Sequence, residues 1–294
     1  MSFKEQLNER ISYANGVIGS YLPSEEGYQK TIFEAMNYAV LAGGKRLRPI
    51  ILNECFHLFG GKGNIHEPFM AAIEILHTAS LVHDDLPCMD NDEYRRGKKT
   101  VHAIYGEAVG VLCGDALLNY TYEIAARAFA LGDSRRVGKA FLTLSTKAGI
   151  YGMIGGQMVD LESEEKSVDK GTLEFIHINK TAALIEASML VGAILAGAKD
   201  EDIELLSRIA LDMGFAFQIR DDVLDVIGSS EILGKPVGSD ASLKKTTYVS
   251  VFGLEKARED VKFYSERAIS NLKKLGDGSS FLISLVNSLI TREK

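Results

Sequence analysis

The chain of 294 residues is poor in proline and cysteine, and each shortage is informative. Its five prolines fall well below the roughly 5% share of an average protein. Because proline disrupts helix interiors, this shortage favours a helical protein. The three cysteines, Cys55, Cys88 and Cys113, form no CxxC pair, and an odd number without a secretory signal is typical of a reducing compartment. We therefore expect a helical protein of the cytoplasm.

Positive charge and long apolar runs are also limited. The 33 Lys and Arg against 40 Asp and Glu give a net charge of −7, which argues against a nucleic-acid binder because such proteins need a basic face. The N-terminus is charged from residue 4 and lacks the apolar core of a signal peptide. The most apolar stretch, residues 182–198, contains Glu186 and Ser188 and is shorter than the roughly 20 residues of a membrane span. We interpret it as a buried core helix and expect no membrane span.

Apolar residues recur at steps of three and four, which is the helical period. The first stripe consists of Phe3, Leu7, Ile11, Ala14, Ile18 and Tyr21. Comparable patterns cover residues 28–42, 46–59, 67–84, 107–130, 136–158, 172–197, 202–227, 242–253, 256–275 and 280–291. Alternating strand-like runs, interdomain linkers and fixed-period repeats are not found in the sequence. The sequence therefore predicts an all-α protein, a single domain over residues 1–294 with about ten helices.

A first acidic cluster follows the pattern of residues 67–84. It contains Asp84, Asp85, Asp90 and Asp92, and Arg95 and Arg96 follow. An acidic run is usually a solvated loop, but the apolar residues before Asp84 indicate that the first pair emerges from the core. Adjacent buried carboxylates repel unless a cation or a proton neutralises them. The two arginines are a purely structural alternative to a bound metal ion.

A second acidic cluster lies 137 residues later along the chain. Gln218, Asp221, Asp222 and Asp225 follow the spacing i, i+3, i+4, i+7, so they share one helix face. Three carboxylates on an otherwise apolar helix are costly without compensation. Carboxylate oxygens in this number suit Mg²⁺, which binds one or two carboxylates together with substrate phosphates. The two clusters could face each other across a helical bundle.

Basic residues are grouped as well. The run GGKRLRP, residues 43–49, places Lys45 and Arg48 at a glycine turn that opens a helix, three residues apart on one face. Backbone N–H groups at a helix N-terminus attract anions, although a solvated basic turn explains this run equally well. Further lysines stand at Lys180, before Thr181, and at Lys235 and Lys245. Carboxylates with Mg²⁺ on one side and cations on the other predict a diphosphate site.

These motifs, taken in order, resemble the all-trans prenyl diphosphate synthases of the bacterial farnesyl and geranylgeranyl type. The resemblance rests on GGKRLRP, HTASLVHDDLPCMDNDEYRRGKKTVH, GDALL, GGQMVDL, KTAAL and FQIRDDVLD, with GK and KKTTY downstream. It covers essentially the whole chain and implies a helical bundle around a central apolar cavity, and a homodimer. Glu93-Tyr94 and Lys99 depart from the usual pattern but only flank the first motif.

The resemblance also implies roles for individual residues. Three Mg²⁺ ions would be held by two sets of aspartates: Asp84, Asp85 and Asp90, and Asp221, Asp222 and Asp225. The allylic diphosphate would contact Arg95, Lys180, Thr181, Gln218, Lys235 and Lys245. Isopentenyl diphosphate would contact Lys45, Arg48, His77 and Arg96. The implied catalytic residues, which promote ionisation of the allylic diphosphate, are Asp84, Asp85, Lys180, Asp221 and Lys235.

Several alternatives stay open at the level of sequence. A class I terpene cyclase shares the implied fold, although the second motif and GGKRLRP argue against one. A non-catalytic subunit of a heteromeric synthase would be expected to have lost one cluster. Gly156, Gln157 and Asp160 are interpreted as lining the pocket, with tight helix packing at Gly155 and Gly156 as the equal alternative. Asp115 is interpreted either as a site residue or as a buried hydrogen-bond partner.

Product length is the last open point. Relatives that make farnesyl diphosphate carry an aromatic residue five positions before the first aspartate, where this chain has Ala79, followed by Ser80. On a helical wheel Ser80 lies about 40° from Asp84 and Ala79 about 140° away. Missing aromatic bulk favours a twenty-carbon product beside the fifteen-carbon one, unless another side chain such as Tyr120 or Met153 closes the space.

Overall fold

The computed structural model describes residues 1–164, 166, 168–227 and 246–291. Fourteen α-helices lie within these ranges. They are α1 (Phe3–Ser20), α2 (Lys30–Leu41), α3 (Leu47–Leu58), α4 (Glu67–Asp84), α5 (Val101–Tyr105), α6 (Glu107–Ala126), α7 (Ser134–Ala148), α8 (Met153–Glu162), α9 (Lys170–Ile176), α10 (Ala183–Ala196), α11 (Asp200–Ile227), α12 (Tyr248–Phe252), α13 (Leu254–Lys273) and α14 (Ser280–Thr291). The prediction of an all-α fold is confirmed.

The remaining regular structure is short. A π-helical segment, His177–Ala182, joins α9 to α10, and 3₁₀ turns occur at Arg127–Ala130 and Asp277–Ser279. Two strands of two residues each, β1 (Tyr94–Arg95) and β2 (Lys98–Lys99), form an antiparallel hairpin with Tyr94 opposite Lys99. The hairpin was not predicted, because two-residue strands are too short to produce an alternating pattern.

The helices are more numerous than the periodicity predicted, because α5 lies outside the predicted patterns and the patterns 136–158 and 172–197 each contain two helices. Gly106, with φ of 89°, ends α5 and begins α6, and Gly253, with φ of 82°, does the same between α12 and α13. The predicted helix 136–158 is two helices, since the chain folds back at residues 149–152. A Cβ atom on Gly152 would lie 2.0 Å from the carbonyl oxygen of Lys147, so only glycine fits this reversal.

The contacts of the chain divide it into two compact units, one of residues 1–53 and 62–141 and one of residues 54–61 and 142–294. In the first unit α4 is the central helix, and every residue from Pro68 to Leu76 is buried. It packs antiparallel to α6, since His83 lies against Gly114 while the carbonyl of Ala72 lies near Thr121. The prediction of a single domain is not tested by this division and stays a prediction.

In the second unit α10 is the central helix. All of its residues from Ala183 to Leu195 are buried, as expected for a core helix. Its one carboxylate, Glu186, accepts hydrogen bonds from Lys147 Nζ at 2.5 Å and Ser207 Oγ at 2.7 Å, which ties α7 and α11 to it. The helical run Lys170–Ala196 is long and apolar enough to cross a membrane, but 78% of its apolar window is buried inside the protein. One such helix is weak evidence for a span.

The close approach of α11 to the π-helical segment gives a test of this packing. A Cβ atom on Gly214 would lie 2.2 Å from the Cβ atom of Ala182, so Gly214→Ala forces the two helices apart. We expect the free energy of unfolding, measured by urea titration, to fall by about 1–3 kcal/mol. Gly138→Ala on α7 is the control, because a Cβ atom there meets nothing and should stabilise the helix by about 0.5–1 kcal/mol. Equal stability of the two variants would contradict the packing described.

Candidate active site

The first acidic cluster begins where α4 ends. Asp84 is the last residue of the helix and is half-buried, and Asp85 caps it with only 4% of its surface exposed. Asp85 accepts a hydrogen bond of 2.6 Å from Arg95 Nε. Burial raises the pKa of Asp85 to about 6 although the Arg95 charge opposes the shift, and the charges of Asp92 and Asp84 add to it. The pair emerges from the core, as the sequence indicated.

The chain after Asp85 folds back on the end of α4. The backbone N–H of Asp90 donates to the carbonyl oxygen of Asp84 at 2.9 Å, which brings Asp90 beside the helix terminus. Arg95 Nη2 also donates to Asp92 Oδ2 at 3.3 Å. The arginine alternative raised by the sequence is therefore realised in part, since Arg95 pairs with two of these carboxylates.

The basic run lies in the same unit. Lys45 is exposed in the loop before α3, and Arg48 is half-buried in the first turn of that helix. The prediction that both share a helix face is wrong, because α3 begins at Leu47 and the intervening Arg46 adopts a left-handed φ of 51°. Arg96 Nη1 donates to the carbonyl oxygen of Gly43, which connects this loop to the hairpin.

His77 lies among several arginines. Burial lowers the pKa of His77 well below its usual value, and the charges of Arg48, Arg96, Arg95 and Arg46 lower it further. The imidazole is therefore neutral at pH 7, and four guanidinium groups lie near it; we refer to them as the arginine cluster. Within it, the Nε atom of Arg48 is buried and has no hydrogen-bond partner in the part of the chain that the structure describes. Such an atom is a donor available to an anion.

Backbone strain is concentrated around this cluster. Among the described residues, three other than glycine have positive φ angles, namely Arg46, Asn91 and Arg96 at 51–54°. This conformation costs of order 1–3 kcal/mol per residue and persists where the surrounding structure imposes it, often at functional sites. Arg46 and Arg96 carry no sequence signal for this conformation, whereas asparagine, as at Asn91, adopts it more readily than most residues.

The second acidic cluster lies on α11, where Gln218, Asp221, Asp222 and Asp225 fall on one continuous helix as predicted. Asp222 is 4% exposed, while Asp221 and Asp225 are half-buried. Asp222 Oδ2 accepts from the backbone N–H of Tyr248 at 2.7 Å, and its Oδ1 from Gln218 Nε2 at 3.2 Å. Asp222 therefore fixes the start of α12 to α11, which the spacing alone did not indicate.

Lys180 and Thr181 lie in the π-helical segment. Thr181 Oγ1 donates to Gln218 Oε1 at 2.9 Å, which continues the network to Asp222. Lys180 Nζ donates to Asp160 Oδ2 at 2.5 Å. A Cβ atom on Gly156 would lie 2.2 Å from the Lys180 nitrogen, so the tight-packing interpretation of Gly156 is confirmed. A π-helical segment is rare and often marks a functional site.

His177 begins the same segment and faces Asp222. Its Nε2 lies 4.0 Å from Asp222 Oδ2, but burial lowers the pKa of His177 to about 4, which outweighs the opposing charge of Asp160. The contact is thus between a neutral ring and a carboxylate, and it does not count as an ion pair at pH 7.

Some predicted residues are not assembled into a site by the structure. Lys235 and Lys245 lie outside the described residues. Asp115 has an exposed side chain (62%) that lies 3.5 Å from His83, so it is not a buried partner. In the described ranges no three His, Cys, Asp or Glu side chains are gathered as metal ligands. The two acidic clusters belong to different units, and their facing each other stays a prediction.

The comparisons with known proteins agree on one family. A family model described as polyprenyl synthetase matches residues 29–277, and the chain belongs to this family. It is 39% identical to the farnesyl diphosphate synthase of Escherichia coli, covering 100% of both chains, and 40% identical to the geranylgeranyl diphosphate synthase of Cyanophora paradoxa, covering 97% of this chain and 95% of the relative.

A solved structure supports the same assignment. The geranyltransferase of Helicobacter pylori, complexed with magnesium and isoprenyl diphosphate, is 32% identical with a TM-score of 0.85, covering 99% of this chain and 97% of the other. The fold predicted from the resemblance is thereby confirmed.

The two aspartates of the second doublet should respond differently to mutation. Asp222→Ala leaves the buried Tyr248 N–H and the Gln218 amide without their acceptor, so we expect the free energy of unfolding to fall by about 2–4 kcal/mol. Asp221→Ala, at a half-buried position, should change the free energy of unfolding by less than about 1 kcal/mol. Urea titration of the metal-free protein measures both. Equal losses in the two variants would contradict the anchoring role of Asp222.

Proposed function

We propose that this chain is a short-chain trans-prenyltransferase that condenses isopentenyl diphosphate with an allylic diphosphate. The observation that carries the proposal is the grouping of arginines beside α4, where Arg95 pairs with Asp85, Arg46 pairs with Glu74, and Arg96 donates to the carbonyl oxygen of Gly43 in the loop of Lys45. Family membership and relatives named as farnesyl and geranylgeranyl diphosphate synthases support it. Dimethylallyl, geranyl and farnesyl diphosphate are the proposed allylic substrates.

Isopentenyl diphosphate is proposed to bind Lys45, Arg48, His77 and Arg96. A diphosphate presents several charged oxygen atoms, and guanidinium groups match them with paired N–H donors. The unpartnered Arg48 Nε supports this assignment, because an anion would satisfy a buried donor that the described residues leave unsatisfied. Neutral His77 can donate one N–H without adding charge.

The residues present fit magnesium. Mg²⁺ usually takes one or two carboxylates and completes its shell with water and substrate phosphates, so ligands gathered from protein alone are not required. Burial is the main cause of the raised pKa of Asp85, and a cation bound beside it would favour the charged form of this carboxyl group. We propose that Asp84, Asp85 and Asp90, and Asp221, Asp222 and Asp225, supply the oxygen atoms for three ions. Bound magnesium would neutralise the charge that develops on the departing diphosphate.

The proposed chemistry is ionisation followed by addition. Arg95, Lys180, Thr181 and Gln218 are proposed to bind the allylic diphosphate, with Lys235 and Lys245 from outside the described residues. Arg95 and Lys180 stabilise the developing negative charge as the C1–O bond breaks. The double bond of isopentenyl diphosphate then attacks C1, and the product loses a proton to the diphosphate released. Apolar helix faces keep water from the allylic cation.

The activity is tested by incubating the purified protein with isopentenyl diphosphate, geranyl diphosphate and Mg²⁺, followed by product analysis. We expect head-to-tail condensation. Asp221→Asn should reduce kcat by roughly a hundredfold or more, since it removes a charge needed only for ionisation, while the circular dichroism spectrum stays unchanged. Glu204→Gln, on the exposed side of the same helix, is the matched control. Near-normal turnover by Asp221→Asn with saturating Mg²⁺ would refute the two-cluster model.

For product length, the structure separates the two small residues before Asp84. Ala79 is 3% exposed and lies within about 40° of Ala72 and His83 on the helical wheel, both of which contact α6. Ser80 is half-buried and shares the face of His77 and Asp84. We propose that Ser80 lines the chain pocket, and that its small side chain permits a twenty-carbon product.

The test of chain length uses Ser80→Phe, which adds bulk about 6 Å below Asp84 on the helix. We expect wild type to form geranylgeranyl diphosphate and Ser80→Phe to stop at farnesyl diphosphate, measured by chromatography of the dephosphorylated products. Ala79→Tyr, which would press against α6, should instead lower the thermal midpoint. A wild type that stops at fifteen carbons, with no change in Ser80→Phe, would show that another residue closes the pocket.

We also propose a cytoplasmic homodimer. All three cysteines are free, as expected in a reducing compartment. In the single chain, α8 and the turn before it leave a stripe of large apolar side chains exposed: Ile150, Tyr151, Ile154, Met158 and Leu161. Exposed apolar patches of this kind are typical of subunit contacts. No membrane span and no nucleic-acid partner are proposed.

A further inference from the structure

The loop that carries Lys45 and Arg48 is held by the side chain of Arg46, which lies between them and is 4% exposed. Its Nη1 donates to Glu74 Oε1 at 2.8 Å, its Nη2 to the carbonyl oxygen of Val40 at 2.8 Å, and its Nε to Asn15 Oδ1 at 2.9 Å. These acceptors belong to α4, α2 and α1. One guanidinium therefore ties the loop to three helices of the first unit.

These bonds hold a strained backbone. Arg46 has a φ of 51°, which a residue with a Cβ atom keeps only when its surroundings impose it. The carbonyl oxygen of Arg46 accepts from the Ile50 N–H at 3.2 Å, so the first turn of α3 starts from this residue. Because Arg48 lies in that turn, its direction depends on the conformation of Arg46. Release of the guanidinium would let the loop relax and move both Lys45 and Arg48.

Glu74 is the other half of this anchor. It is 2% exposed on α4 and pairs with Arg46 at 2.8 Å. Burial lowers the pKa values of Arg48 and Arg96, and the charge of Glu74 opposes both shifts. Its two effects on a bound anion have opposite signs. As a negative charge near the arginine cluster, Glu74 repels a diphosphate, whereas as the partner of Arg46 it keeps the binding residues in place.

We propose that Arg46 and Glu74 are positioning residues for isopentenyl diphosphate, which set the geometry of Lys45 and Arg48 without touching the substrate. This inference rests on the proposed function and deepens it. It explains why a loop that must present cations to an anion contains one further arginine that is fully enclosed by the protein.

The opposite signs allow a decisive experiment with Glu74→Gln. If Glu74 acted only through its charge, its removal would tighten the binding of isopentenyl diphosphate. If it positions the loop, KM for isopentenyl diphosphate should rise by roughly tenfold, while kcat and KM for geranyl diphosphate change by less than about twofold. Calorimetric titration with isopentenyl diphosphate alone should show the same loss of affinity. Arg48→Ala is the reference for losing one binding residue outright.

Two further variants separate positioning from stability. Glu186→Gln is the matched control, because Glu186 is a similarly buried carboxylate with a cationic partner, Lys147, in the second unit. It should lower the thermal midpoint and leave both KM values unchanged. The double variant Arg46→Met/Glu74→Met leaves no unpaired buried charge, and such replacements are often neutral for stability. It should fold with near-normal stability and still bind isopentenyl diphosphate roughly tenfold more weakly.

The outcomes are distinguishable. Unchanged or tighter binding of isopentenyl diphosphate by Glu74→Gln overturns the inference, as does an equal rise of both KM values. If Glu74→Gln does not fold, the affinity of the Arg46→Met/Glu74→Met variant for isopentenyl diphosphate tests the inference instead. A wild type that binds isopentenyl diphosphate in a Glu74-dependent way but forms no product refutes the proposed function and supports the anchor. If the wild-type protein does not bind isopentenyl diphosphate, both the proposed function and the positioning role of Arg46 and Glu74 are overturned.

Discussion

The concentration of positive charge beside α4 is the constraint on which the first unit depends. Arg46, Arg48, Arg95 and Arg96 lie close enough to depress the pKa of His77, and like charges at such distances repel. Two buried carboxylates offset them, Glu74 through Arg46 and Asp85 through Arg95. Breaking a buried pair of this kind typically costs about 3–5 kcal/mol, because the remaining charge stays buried. Loss of either carboxylate is therefore expected to destabilise the first unit.

Both aspartate doublets divide their members in the same way. Asp85 and Asp222 are each 4% exposed and accept hydrogen bonds from the protein, the first from a guanidinium and the second from a backbone N–H. Asp84 and Asp221 are half-buried. The buried member links its helix to another part of the chain, and the other member carries its charge closer to solvent. Two adjacent residues of one type thus act differently because a helix turns about 100° between them.

In the second unit, close backbone contacts hold in place the residues that are proposed to bind the substrate. Gly156 lets α8 approach the π-helical segment, and Gly214 lets α11 approach the same segment at Ala182. The segment carries Lys180 and Thr181, and their side chains are held by Asp160 and Gln218. Side chains proposed to act on a charged substrate are thereby placed on backbone that is packed on two sides, which limits their movement.

Sequence alone determined the helical class, the acidic cluster on one face of α11 and the emergence of Asp85 from the core. The spacing of apolar residues indicates both the helical period and which residues are buried. The tertiary structure decided the rest. Two of the three acceptors of Arg46, Asn15 and Glu74, lie 31 and 28 residues away in sequence, so no local pattern predicts these hydrogen bonds. The prediction that Lys45 and Arg48 share a helix face was wrong, since helical spacing applies only inside a helix and α3 begins at Leu47. Asp221 and Asp222 have separate roles, as do Ala79 and Ser80, because each side chain meets different neighbours. Those neighbours are set by the packing of the helices.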